Sequence, residues 1–364
     1  MTIPFFLASL RCTLFDRNPV NGFVCRKKEQ EDISAVLKYT VKRLLYSVVI
    51  LFFVMLIVYS LMYNMPGNYL ETKARELASR PGAGKSYTEW LNDLNAQYGM
   101  DKGILRGYFV WLKTAITGNW GDSWTWTIPV TEQFHNTVWY SFILSLISLV
   151  VEIVVAIPLG IMAAKKQYSF ADYFTTVFAM ISISLPTFFL ATLLKYIFSI
   201  KLGWLDLSGM QGRDYADLSQ WGKFLDVAKH FILPGLTISI ISIGGLMRYT
   251  RTNMLEVLNS DYIRTARAKG VPEKKVISKH AFRNTLIPLV TTLGGSLPSL
   301  FSGALITETL FSIRGIGYAS YNSMVQGDIP FVMFYLTFIS IMTLLGNLIS
   351  DLLYAVVDPR VRLG

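Results

Sequence analysis

Long apolar runs alternate with polar segments along this chain, and inside the runs the apolar positions show no period of two. Six runs, at 41–63, 137–164, 173–200, 231–249, 285–307 and 331–357, can each cross a hydrocarbon core of about 30 Å at 1.5 Å per residue. A helix satisfies its own backbone within lipid and a lone strand does not, so the pattern predicts an all-α integral membrane fold of six transmembrane helices. The polar remainder comprises an extension at 1–40, a loop at 64–136, a loop at 250–284 between the fourth and fifth spans, and a tail at 358–364. The five spans within 137–357 are the expected core.

Composition agrees with the pattern. The chain is 52% hydrophobic, 14% aromatic and only 16% charged, with a mean hydropathy of +0.41, which excludes a soluble domain. Placing the N-terminus inside puts 21 of the 34 Lys and Arg residues on the inner side and 12 outside, with Lys195 in the third span. Both termini are therefore expected to be cytoplasmic. This bias and the anionic inner lipid surface account for the net charge of +10, and nucleic-acid binding is not needed. Met1 to Leu14 lacks a basic leader, a long apolar stretch and a small-residue cleavage site, so the first span reads as an uncleaved anchor. Cys12 and Cys25, with no His nearby, read as reduced thiols, and no metal site is expected.

The segment 260–288 stands out, because nine of the Lys and Arg residues lie between Arg248 and Arg283. Ser260 or Asp261 can cap a short helix, Gly270 supplies a left-handed stop, and Pro272 with Glu273 opens a second helix. On the first helix Tyr262, Ile263 and Ala266 share an arc of about 100°, with Arg264 and Arg267 beyond it. Periodicity leaves two readings open. The apolar arc fits a groove on a partner protein, or the helix lies on the inner leaflet.

The run Tyr262, Ile263, Arg264, Thr265, Ala266, Arg267, Ala268, Lys269, Gly270, followed by His280, Arg283, Asn284 and Pro288, resembles the EAA loop of ABC-importer permeases of the dipeptide and oligopeptide type. Arg264, Thr265 and Ala266 stand in the Glu-Ala-Ala slots and Gly270 in the glycine slot. Similar landmarks follow in order: Met65 to Asn68, Tyr98 to Lys102, Gly118 to Ser123, Ser184 to Pro186, Leu202 to Trp204, Ser208 with Gly209, Asp351 to Tyr354, and Asp358, Pro359, Arg360 and Arg362. The resemblance covers nearly the whole chain from the first span. It implies a type I importer in which this subunit and a second, OppC/DppC-type permease form the pathway. Two cytoplasmic ATPases would hold ATP and Mg, and an outer solute-binding protein would deliver cargo. The chain itself would hold no cofactor and no ATPase site. Residues 262–270 with His280, Arg283 and Asn284 would then couple to the ATPases, with Pro288, Asp351, Asp358 and Pro359 structural. Peptides are the implied cargo; nickel, glutathione and oligosaccharides are alternatives within the family.

The remaining candidates lie in or near the spans. Glu152 sits near the middle of the second span and is a pathway candidate, or an interhelical polar contact. Lys195 is expected to snorkel outward. Glu308, Phe311, Arg314, Gly315 and Gly317 resemble the family segment that closes the pathway on the outside, with Arg314 in place of its usual proline and the two glycines expected to permit a tight turn. Trp90, Trp111, Trp120, Trp124 and Trp126 suit a docking platform or an interfacial belt.

Other functions are weakly supported. Gly84, Lys85 and Ser86 end like a phosphate loop, but Ser79 replaces the required glycine. The histidines His135, His230 and His280 lie on separate loops, against an enzyme. A proton-driven carrier would show an internal repeat that this chain lacks.

Overall fold

The structure, a computed structural model, describes residues 22–64, 69–81 and 84–357. Asp358, Pro359, Arg360, Arg362, Cys12 and the landmark at 65–68 lie outside the described residues, and of Cys25 only the backbone is described. Among the described residues the regular structure is helical, with one isolated bridge between Asp122 and Pro129. In chain order the helices are α1 (Gly22–Tyr63), α2 (Tyr69–Ser79), α3 (Tyr87–Tyr98), α4 (Ile104–Ile116), α5 (Val130–Lys165), α6 (Phe170–Ser184), α7 (Thr187–Leu194) and α8 (Gln220–Leu258). There follow α9 (Asp261–Ala268), α10 (Phe282–Gly294), α11 (Leu297–Ser302), α12 (Leu305–Leu310), α13 (Ile316–Val325) and α14 (Ile329–Val357). Five helical stretches are long and apolar enough to cross a membrane: Leu37–Tyr63, Val130–Lys165, Gln220–Leu258, Glu273–Leu310 and Ile329–Tyr354.

The third span is not the continuous helix expected over 173–200. Here α6 and the continuation of α7 through Lys201 form a pair bent by 106°. Pro186 lacks the N–H that would continue α6 and drives Leu185 into an extended conformation, at φ −76° and ψ 126°. The fifth span, expected unbroken over 285–307, is also interrupted, because Gly303 at φ +78° separates α11 from α12.

Small residues set the core packing. Along α5, Leu144, Ser148, Ala156, Gly160 and Ala164 recur at four-residue spacing and are all buried. A Cβ on Gly160 would stand 2.7 Å from the Met247 carbonyl oxygen of α8, so the two backbones are nearly in contact. Ser148 Oγ donates across the same interface to the Gly235 carbonyl at 3.2 Å. Gly244 of α8 approaches α6 as closely, with a Cβ there only 2.9 Å from the Ala179 oxygen. On the other flank α1 packs on α14, where Arg43 Nη2 lies 2.8 Å from Asp351 Oδ2.

The 64–136 segment folds into α2, α3 and α4 over the end of α1. Tyr59 donates to the Tyr98 carbonyl at 2.8 Å, and Tyr108 to the Phe52 carbonyl at 2.9 Å. Trp111 is buried, and its ring meets that of Trp120 edge-on at 5.9 Å. Trp90 and Trp124 pack against the same cluster and Trp126 against the neighbouring one. All five tryptophans are at least partly buried and help hold the loop together.

Candidate functional site

At the C-terminal ends of α5 and α8 the chain turns through α9 and returns toward α10. The stop signal works locally. Gly270 has φ +72°, its N–H donates to the Arg267 carbonyl at 2.9 Å, and the Val271 N–H reaches the Ala266 carbonyl at 3.2 Å. These two bonds form a Schellman cap, which satisfies the last carbonyls of α9. At the other end Ser260 lies in the cap position, but its hydroxyl donates back to the Val257 carbonyl at 2.6 Å and not to α9.

The apolar arc of α9 faces the opposite way from a partner groove. Ile263 is fully buried, packed in one cluster with Ala164, Met254, Val276, Ile277 and Ala281, and Ala266 and Val271 close its edge. The arc is the brace that fixes the hairpin to the C-terminal ends of α5 and α8, because those ends carry apolar side chains that the hairpin covers. The outward face is polar: Asp261, Arg264, Thr265, Arg267, Ala268 and Lys269 are exposed, and Tyr262 is about half exposed. Arg267 closes the mouth of the hairpin on Glu273 through two hydrogen bonds, of 3.1 and 2.8 Å, which hold the Glu273 carboxyl below the usual glutamate range. Asn284 Nδ2 donates to Tyr262 Oη at 3.1 Å and to the His280 carbonyl at 3.0 Å, joining the return arm to α9. Arg283 is exposed on the return arm, and Pro288 sits within α10.

The opposite end of the core is organised by Glu308. This carboxylate is fully buried and accepts from Ser141 Oγ at 2.6 Å, the Ala304 N–H at 2.9 Å and the Tyr318 N–H at 2.8 Å. It therefore ties α5, α12 and α13 together. Ser141 Oγ in turn accepts from the Ile316 N–H at 2.7 Å. Gly315 and Gly317 are required here for space and not for backbone conformation: Gly315 has φ −86°, and a Cβ on Gly317 would lie 2.9 Å from Glu308 Oε2. The left-handed residue of this turn is Ser312, at φ 57°. Phe311 is buried, its carbonyl accepting from the Gly209 N–H at 2.9 Å. Lys195 does not snorkel. Its ammonium donates to the Leu310 carbonyl at 2.6 Å and lies 5.3 Å from the Phe311 ring centre, which satisfies the charge at the C-terminal end of α12. Arg314 is exposed beside this turn.

Glu152 falls on the α5 stripe that faces α8, partly buried, without a hydrogen-bond or ion-pair partner among the described residues. A second buried carboxylate, Asp328, escaped sequence reasoning. It accepts from Ser123 Oγ, from the Thr125 N–H at 3.2 Å and from the Phe331 N–H at 3.3 Å, so it fastens the 64–136 segment to the start of α14. An acidic residue two positions before Pro330 at a helix start was the available signal. The residues of the apparent phosphate loop have other partners: Ser86 and Glu89 form a capping box on α3, and Lys85 pairs with Asp93 at 2.6 Å.

A bundle of long apolar helices with one polar-faced hairpin braced against the C-terminal ends of α5 and α8 is a multi-pass membrane protein. The sequence profile described as binding-protein-dependent transport system inner membrane component matches residues 156–363, and the chain belongs to this family. It is 33% identical to the oligopeptide transport system permease protein AppB of Bacillus subtilis, over 89% of this chain and 99% of that protein. It is 32% identical to the dipeptide transport system permease protein DppB of Escherichia coli K12, over 84% and 93%. To the oligopeptide transport system permease protein OppB of Haemophilus influenzae it is 30% identical, over 90% and 100%. A profile described as ion transport protein matches the shorter stretch 28–170, which excludes the hairpin.

Proposed function

We propose that this subunit forms half of the translocation pathway of an ATP-driven importer of dipeptides or oligopeptides. Its partners are a second, OppC/DppC-type permease, two cytoplasmic ATPases that hold ATP and Mg, and an outer solute-binding protein. Both termini and the hairpin lie on the cytoplasmic side, as the Lys and Arg bias supports. The observation that carries the reading is the hairpin, with its polar face exposed and its apolar face anchored in the inner ends of α5 and α8. An ATPase that engages Tyr262, Arg264, Thr265, Arg267, Ala268 and Lys269 moves α9 as a rigid lever, because Ile263 couples it to both spans. His280, Arg283 and Asn284 stiffen the return arm. Closure of the ATPases on ATP then becomes a change in tilt of the spans, exchanging inward-facing and outward-facing states. The names of the relatives support peptide cargo.

The test is reconstitution of the purified four-subunit complex in vesicles, with its binding protein loaded in turn with tripeptides, nickel chelates and oligosaccharides. ATP-dependent uptake of the tripeptide alone is expected. Stimulation only by the other cargoes refutes peptide transport, and uptake that survives ATP depletion refutes the ATP-driven mechanism.

A further inference from the structure

A cleft of about 960 Å³ opens between the start of α5, residues 209–211 and the turn at 312–319, on the side of the core opposite the hairpin. Arg314 is the only formally charged residue lining it, and it has no ion-pair partner among the described residues. Gln133 lines the same cleft and is 8% exposed, yet among the described residues its side-chain amide makes no hydrogen bond. Its amide atoms are not sealed off from the cleft, so they stand open to a ligand there. Asn136 and Gln211 add two further amides with no side-chain partner, and Tyr140 and Tyr318 supply aromatic surface.

One unneutralised guanidinium, no carboxylate, and several amides that both donate and accept describe a receptor for an anion attached to an amide chain. We propose that this cleft is a subsite for the C-terminal carboxylate of a peptide at the outer mouth of the pathway. Arg314 is the counter-ion of the carboxylate, and Gln133 and Asn136 pair with the adjoining main chain. A guanidinium meets a carboxylate through two parallel hydrogen bonds, a geometry that a neutral terminal amide cannot accept. Among the described residues no carboxylate pairs with Arg314. This inference rests on the peptide-importer reading.

The experiment compares uptake of a radiolabelled tripeptide and of its C-terminal amide by the reconstituted complex, for wild type, Arg314→Gln and Arg314→Lys. The binding protein's own preference is common to all three complexes and cancels when their acid-to-amide ratios of kcat/KM are compared. Arg314→Gln is expected to lower that ratio about tenfold, and Arg314→Lys to give an intermediate ratio, because it keeps the charge but not the two parallel hydrogen bonds. An unchanged ratio in Arg314→Gln overturns the subsite, whether both peptides fall together or neither falls. Loss of uptake of both peptides by Arg314→Gln, in a complex that elutes at wild-type size, also overturns it. If the wild-type complex takes up neither peptide while it transports another loaded cargo, the peptide reading fails and this subsite fails with it.

Discussion

Truncating Ile263 to alanine separates the brace from the lever. The side chain is fully buried against Met254, Val276 and Ile277, so the change removes three carbons from a closed cluster. Their transfer is worth about 0.8 kcal/mol each. The cavity they leave raises the loss to about 3 kcal/mol, within the range of roughly 2–5 kcal/mol for such truncations. The loss falls on the hairpin, because the cluster that Ile263 fills is the one that holds α9 to the spans. Opening of α9 should then become about a hundredfold more frequent, at 1.4 kcal/mol per factor of ten. The reporters are the N–H groups of Lys269, Gly270 and Val271, all hydrogen-bonded in the Schellman cap or the last turn. Hydrogen exchange of the 261–271 peptide, read by mass spectrometry on the intact complex, measures that opening directly. In the same variant ATP-dependent uptake should fall while the ATPases keep hydrolysing. Exchange at the wild-type rate would show that Ile263 does not anchor α9, and normal uptake alongside accelerated exchange would show that a rigid hairpin is not needed for coupling.

Two further substitutions probe the packing of the core. Glu308→Gln presents an NH2 group to donors that now face a carboxylate, either Tyr318 N–H or the Ser141 and Ala304 pair. It should lower stability by about 1–3 kcal/mol, seen as a lower melting temperature of the complex, and an unchanged melt would mean the network is not a structural tie. Gly160→Ala puts a Cβ 2.7 Å from the Met247 oxygen and must push α5 from α8. About 1–3 kcal/mol of destabilisation is expected, and a variant as stable as wild type by the same melt would argue against close backbone contact there.

What the sequence revealed divides by range. The apolar runs located the spans because membrane crossing is a matter of length and composition, and the Gly270 stop was readable because a Schellman cap involves only six consecutive residues. The orientation of Ile263 was not readable. A helical period identifies a stripe but not what covers it, and its cover comes from Met254 on α8 and Val276 on the return arm. The tie that Glu308 makes was not readable either, since its partner Ser141 is 167 positions away. Gly315 and Gly317 were noticed correctly but for conformational freedom, when the demand was room for that carboxylate. Pro186 marked a landmark, yet the size of the bend depends on how α7 packs against α8 and α12.

The elbow at Leu185 and Pro186 has a consequence for what surrounds the subunit. Helix α6 contributes 15 residues before it, roughly 22 Å of rise, so the break falls at membrane depth. Leu185 N–H is taken up by the Ile181 carbonyl, and Phe189 and Leu190 bond back to Pro186. The carbonyls of Ser182, Ile183 and Ser184 have no such continuation, nor do the N–H groups of Thr187 and Phe188. Hydrocarbon cannot solvate these groups. The elbow is therefore a wet notch in an otherwise greasy wall, and the side of the subunit that carries it must look onto water or onto another protein, never onto lipid tails.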